Sequence, residues 1–329
     1  MAEYGKKEPV IKLAPSFKDY LWGGTGLEDR FGKKDDRGLI AESWELSARE
    51  GGESHITNGE YADLTLSEYV HAMGREVLGS KSAAFEKFPL LVKFIDAAKP
   101  LSVQVHPGDD YAKAKGQEFG KNELWYVVNA KKDAWLYYGL SRDISKADLE
   151  ELISRGRVTD VLNKVPVRTG DSFMVKAGTI HAIGPGILIC EVQQNSDATF
   201  RIDDYARKGN DGNPRELHVE NALEVIDIAL NLEEAGKGPL HTADLKEERI
   251  RLPENEFFSA ELFRGKDEAQ VDVDETSFVA ITVMDGEGDI FANDGDTVHR
   301  FKAGDTFFVN AGRRQVTVKG AREFLTVRM

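Results

Sequence analysis

The sequence predicts a mainly β fold: two jelly-roll β-barrel domains in tandem, with a small helical insertion in the first. Three observations carry this expectation. At 329 residues the chain exceeds what one compact core usually holds, so two domains are the default. Short apolar runs separated by turn residues recur along the chain, and from Phe257 onward they read as strands alone. The third is an internal repeat. Residues 170–181 (GDSFMVKAGTIH) align without gaps on residues 304–315 (GDTFFVNAGRRQ), with six of twelve positions identical. A repeated turn–strand–turn–strand unit suits a double-sheet jelly roll. The copies differ where it matters, since His181 in the first is Gln315 in the second. A histidine that served the fold would be kept in both, so one barrel is expected to carry chemistry and the other structure alone. The division falls at residues 1–235 and 236–329, with the insertion at about 143–163.

In chain order, Pro9 to Leu13 is a short apolar strand. Tyr20-Leu21-Trp22-Gly23-Gly24 is a tight turn where the backbone can approach something closely. Ala41 to Ser47 reads as a strand whose Glu42 and Glu45 form a solvated edge, with membership of a site as the alternative. Leu66, Tyr69, Val70 and Met73 recur at three and four, which predicts a helix between Leu64 and Leu78 capped by Thr65 or Ser67. Phe88 to Asp96 is a strongly apolar strand. Asn122 to Val128 and Ala134 to Gly139 are two strands joined by five mostly polar residues, which predicts a hairpin. Leu149, Leu152, Ile153, Val158 and Val161 give the insertion its helical spacing. Strands return at Val165 to Arg168, Phe173 to Val175 and Ile187 to Cys190. One helix fits Val219 to Leu230, and residues 231–255 read as a linker or covering loop.

Composition narrows the function. A net charge of −14 argues against a general nucleic-acid binder, which needs a basic patch to neutralise phosphates. One cysteine, Cys190, excludes an intramolecular disulfide, fits a reducing compartment and, in an apolar run, is expected to be inert. The N-terminus lacks an apolar h-region, and no stretch approaches about 18 uninterrupted apolar residues. A cytoplasmic protein without nucleic-acid or membrane partners is expected.

Candidate chemistry centres on Leu101-Ser102-Val103-Gln104-Val105-His106-Pro107. Alternation on a strand sends Ser102, Gln104 and His106 to one face, as the wall of a polar cavity would require. A satisfied core histidine beside a solvent-facing edge is the other reading. Glu123 shares a face with Trp125 and Val127. Together His106, Glu123, His181 and Gln104 suit a borderline divalent ion, zinc first, with iron, manganese or cobalt possible. His106 and Glu123 are expected on neighbouring strands, with His181 reaching them across the barrel. Three protein ligands, or four with Gln104, leave the open position that a catalytic site requires. His55, His71, His218, His241 and His299 read as surface or capping residues. Trp22 and Trp44 read equally as pocket lining or core.

The chain resembles the type I mannose-6-phosphate isomerases (phosphomannose isomerases) in their short bacterial form. The resemblance runs through Leu21 to Gly24, Glu42 to Glu45, Leu101 to Pro107, Lys121 to Tyr126, Ala177 to Ala182 and Ser196 to Arg201. It implies a metal-binding catalytic cupin domain followed by a cupin-like domain without ligands. It also implies one Zn2+ per chain on His106, Glu123 and His181, with Gln104 matching a fourth ligand of the longer eukaryotic members. Arg201 matches the family's essential arginine, Asp197 its site aspartate and Lys121 its active-site lysine. Ser102 and Arg207 match positions assigned to the substrate phosphate. Longer members follow the arginine with Gly-x-Thr-x-Lys, whereas this chain has Ile202-Asp203-Asp204-Tyr205-Ala206-Arg207.

The implied reaction interconverts mannose 6-phosphate and fructose 6-phosphate through an enediolate. Such chemistry needs a cation at the developing oxyanion and a base near C2. Arg201 is expected to stabilise the enediolate and Lys121 to shuttle a proton or assist ring opening. Glu191, Asp197 and a metal-bound water remain candidate bases. Partners reduce to a small sugar phosphate, with the chain a monomer or weak homo-oligomer. A cupin dioxygenase with a two-histidine, one-carboxylate iron site and a non-catalytic sugar-binding cupin are the rival readings.

Overall fold

The computed structural model describes residues 9–209, 212–292, 298–312 and 314–329. Strands dominate and pair antiparallel in three sheets. A seven-stranded sheet runs in the spatial order Leu240–His241, Asp171–Val175, Glu123–Ala130, Ile187–Gln194, Leu90–Ala97, Glu42–Leu46 and Ser16–Lys18. Facing it, a five-stranded sheet runs Phe200–Asp203, Val103–Val105, His181–Ile183, Trp135–Leu140 and Leu162–Pro166. Nine strands, mostly C-terminal to Arg249, make the third sheet.

The strand Glu123–Ala130 shows how these layers assemble. Its alternate side chains leave opposite faces. Trp125 and Val127 pack inward with Phe173, Leu136 and Tyr138, which joins the seven- and five-stranded sheets. Leu124, Tyr126 and Val128 pack outward with Phe308 and Leu325 of the nine-stranded sheet and with Phe278, just before one of its strands. Each such fully buried large apolar side chain stabilises by about 1.5–3 kcal/mol. One strand therefore serves as cavity wall and as interface.

The repeat is structural. Gly170 and Gly304 both take φ of +88°, a left-handed turn open to glycine. Asp171 and Asp305 then accept the backbone N–H three residues back, from Arg168 at 3.0 Å and Lys302 at 2.9 Å. After the second turn the copies diverge. His181 is fully buried, whereas the Gln315 amide donates to Asp272 at the surface at 2.7 Å. Arg313 in the second copy lies outside the described residues.

Several expectations need correction. The strands Glu123–Ala130 and Trp135–Leu140 do not form a hairpin; the turn between them carries the chain from one sheet to the facing one. As a result His106 and His181 are the neighbours, with His181 opposite Gln104 in register, and Glu123 meets them from the facing sheet. The single helix expected at 219–230 is two, Val219–Val225 and Ile228–Lys237. Asp227 breaks it, because its carboxylate caps the second helix by accepting from Leu230 N at 3.0 Å. That second helix and the strand Leu240–His241 occupy much of the segment read as linker. Glu42 and Glu45 are not solvated, being 7% and 1% exposed. His299 is buried between Asn58 and Phe307 rather than at the surface. Val10–Ala14 pairs with Thr306–Val309 in the nine-stranded sheet.

Two helices match their expected positions and caps. Thr65 caps the helix Leu66–Met73 through a reciprocal pair of bonds with Glu68. The helix Lys146–Ser154, capped by Ser145, falls within the insertion. Among the described residues no helix is long and apolar enough to cross a membrane.

Candidate active site

The strand Val103–Val105 buries its valines in the apolar layer behind it and turns Ser102 and Gln104 toward a cavity of about 340 Å³. His106 follows immediately, held by its Nδ1–H donating to the carbonyl of Ala198 at 2.7 Å. His181 is held in the same way, with Nδ1–H on the carbonyl of Thr179 at 2.9 Å. Each carbonyl can only accept, so each Nδ1 carries the proton and each Nε2 keeps a lone pair. Both lone pairs face one carboxylate: His106 Nε2 lies 3.1 Å from Glu123 Oε1, and His181 Nε2 3.8 Å from Glu123 Oε2.

Acceptors facing acceptors in a buried site is a costly arrangement unless a cation sits among them. His106 Nε2 is indeed buried without a hydrogen-bond partner among the described residues. One ligand atom from each of His106, Glu123 and His181 lies within 4.8 Å of the others. Two imidazoles and a carboxylate converging in this way fit a divalent metal ion. The Gln104 side-chain amide nitrogen donates to His181 Nε2 at 3.3 Å.

The electrostatics agree. Burial, reinforced by His106, pushes His181 down to about 3, and burial with Lys121 lowers His106. Burial alone would raise Glu123, but the Lys121 ammonium at 3.0 Å, and then His106, hold its carboxyl well below the usual carboxylate range. Neutral imidazoles beside an ionised carboxylate are the protonation states a metal requires.

Above this cluster a second layer of polar groups lines the wall. Trp125 Nε1–H lies between Glu123 at 3.1 Å and Glu191 at 2.8 Å. Lys93 Nζ sits 3.1 Å from Glu191 and 3.4 Å from Glu42. Trp44 donates to the same Glu42 oxygen at 2.7 Å. Burial, reinforced by Glu123, pushes Glu191 up to about 7. Trp22 and Trp44 both line this cavity, and Trp22 also belongs to the core.

Cationic groups collect at another corner of the cavity. Arg201 donates to Ser102 Oγ at 3.3 Å and to the carbonyl of Glu216 at 2.7 Å. Burial and then the charge of Arg215 lower its pKa. Arg215 also lines the cavity, braced by Asp204 at 2.8 Å. Arg207 does not line it. Its guanidinium is bonded to Asp204 and the carbonyl of Pro100. Asp197 stands at the rim with its side chain 70% exposed, paired with Arg49 at 2.6 Å. A larger neighbouring cavity of about 610 Å³ lies beyond Ser196 and Asp197, but Glu123, Gln104 and Lys121 line the smaller one.

The structure thus brings together Ser102, Gln104, His106, Lys121, Glu123, His181, Glu191 and Arg201. Sequence reasoning passed over Lys93, Gln193 and Arg215. Lys93 carried a signal, because a lysine inside the run Leu90 to Ile95 must find buried carboxylates. Arg215 carried none.

Residues 10–149 match the family model described as phosphomannose isomerase type I, catalytic domain. The chain is 38% identical to the mannose-6-phosphate isomerase ManA of Bacillus subtilis over 317 residues, covering 96% of this chain and 97% of that protein. It is 36% identical to the mannose-6-phosphate isomerase of Streptococcus mutans over 284 residues, or 86% and 87% of the two chains. Its fold matches the crystal structure of the mannose 6-phosphate isomerase from Bacillus subtilis with a TM-score of 0.84 at 32% identity, over 98% of this chain and 100% of that one.

Proposed function

The chain belongs to the type I phosphomannose isomerases, and on that premise we propose how its cavity interconverts mannose 6-phosphate and fructose 6-phosphate. It is a metal-dependent aldose–ketose isomerase, and its relatives favour neither a dioxygenase nor a sugar-binding reading. The observation that carries the mechanism is the convergence of two imidazole lone pairs on Glu123, which lines the cavity together with Arg201 and Glu191.

His106, Glu123 and His181 hold the metal, and the two-imidazole, one-carboxylate set favours zinc. When bound, the ion would supply a Lewis acid to the reacting end of the sugar. Glu191 takes the proton from C2 and returns it to C1. Its buried position on the cavity wall and its carboxyl near 7 suit a base better than the exposed Asp197 at the rim. Arg201 stays protonated and stabilises the negative charge of the enediolate. Lys121, ion-paired with Glu123, donates to a sugar oxygen as the ring opens. Ser102 and Arg215 receive the phosphate, and Arg207 acts through Asp204 to brace Arg215. Asp197 holds the rim through Arg49.

Isomerisation in deuterium oxide tests the proton-transfer route. A carboxylate base that exchanges with solvent places deuterium at C1 of fructose 6-phosphate. Full retention of the substrate hydrogen over complete conversion points to hydride transfer instead.

A further inference from the structure

Gln193 is fully buried on the strand Ile187–Gln194, two residues beyond Glu191, and lines the same cavity. In sheet register it stands opposite Glu123 on one side and Leu91 on the other. Cross-strand neighbours project side by side from one face, so Gln193 sits next to the carboxylate at the centre of the site.

Its amide orientation is determined by its surroundings. Nε2 donates to the backbone carbonyls of Gln194 at 2.8 Å and Ser196 at 2.6 Å. A flipped amide would set oxygen against two carbonyl oxygens, so these acceptors identify the nitrogen. The other end, Oε1, is buried and has no hydrogen-bond partner among the described residues. Neighbouring ammonium groups are engaged elsewhere, Lys121 with Glu123 and Lys93 with Glu191 and Glu42. A buried acceptor held rigidly in a cavity without a donor is explained when the ligand brings the donor.

We propose that Gln193 Oε1 accepts a hydrogen bond from a hydroxyl of the open-chain hexose phosphate, at C3 or C4. The C1 and C2 oxygens belong to the reacting end, and the phosphate to Ser102 and Arg215. Gln193 is then a substrate-contacting residue that helps set which sugars react. This inference rests on the isomerase reading above.

The test compares mannose 6-phosphate with its 3-deoxy and 4-deoxy analogues, using the metal-loaded wild type and Gln193→Met. The wild type should disfavour one analogue by about tenfold or more in kcat/KM, as loss of a buried hydrogen-bond partner implies. Gln193→Met should lose a similar factor on mannose 6-phosphate and much less on that analogue, with metal content unchanged. A merely structural role lowers all three substrates equally, which overturns the inference. So does a wild type that turns over both analogues within about twofold of mannose 6-phosphate, a result that needs no variant to fold. A wild type inactive on mannose 6-phosphate itself defeats the isomerase reading instead.

Discussion

Glu123 and His181 meet from facing sheets, Oε2 to Nε2 at 3.8 Å, the one on the seven-stranded sheet and the other on the five-stranded. A metal held by these residues would therefore also clasp the two layers together. His106 Nε2 approaches the other oxygen of Glu123 at 3.1 Å, so removing the ion leaves buried acceptors crowded together. Binding to the folded state alone stabilises it by mass action, by about 2.7 kcal/mol at a hundredfold excess over Kd. Chelation should accordingly lower Tm by several degrees in calorimetry. Equal melting with and without metal would show that the ion does not join the sheets.

Glu191→Gln should lower kcat by about 10²- to 10⁴-fold while leaving metal content intact. The sign of the pH dependence follows from burial, which pushes Glu191 up to about 7, so its basic form grows as pH rises toward that value. Activity should therefore rise along an acid limb no higher than about 7, since a bound cation nearby can only lower the carboxyl. The limb should vanish in Glu191→Gln. A limb that survives in the variant would move the base elsewhere, with Asp197 next in line.

Arg201→Ala should reduce kcat by about 10²- to 10³-fold, the cost of one donor aimed at a developing oxyanion. Metal content, measured on the same sample, should match the wild type. If the variant loses zinc and added zinc restores turnover, Arg201 holds the site together rather than stabilising charge.

Arg215→Ala should raise KM for mannose 6-phosphate and weaken inhibition by inorganic phosphate, with kcat less affected. Arg207→Ala should do less, because its guanidinium faces Asp204 and Pro100 and lies outside the cavity lining. The reverse order of effects would return the phosphate contact to Arg207.

What could be read from the sequence follows from how local each signal is. The repeat was visible because Gly170 and Gly304 each need the same left-handed turn and Asp171 and Asp305 the same backbone bond. His181 stood out because the second copy lacks it. The sheet assignment of Glu123 was not visible, since a five-residue polar turn serves a hairpin and a crossing between sheets equally well. Glu42 looked solvated because alternation shows which residues share a face, not what covers that face; Lys93 covers it here. Arg215 lies in an irregular segment whose approach to Ser102 and Arg201 is set by tertiary packing alone.

Isomerisation is expected to depend on a metal held by His106, Glu123 and His181. Stepwise chelation of the purified protein, with metal content and mannose 6-phosphate turnover measured on each aliquot, is the test. Turnover should fall in proportion to bound metal and return when zinc is restored, and His106→Ala should lack both. Undiminished isomerisation by metal-free protein would contradict it.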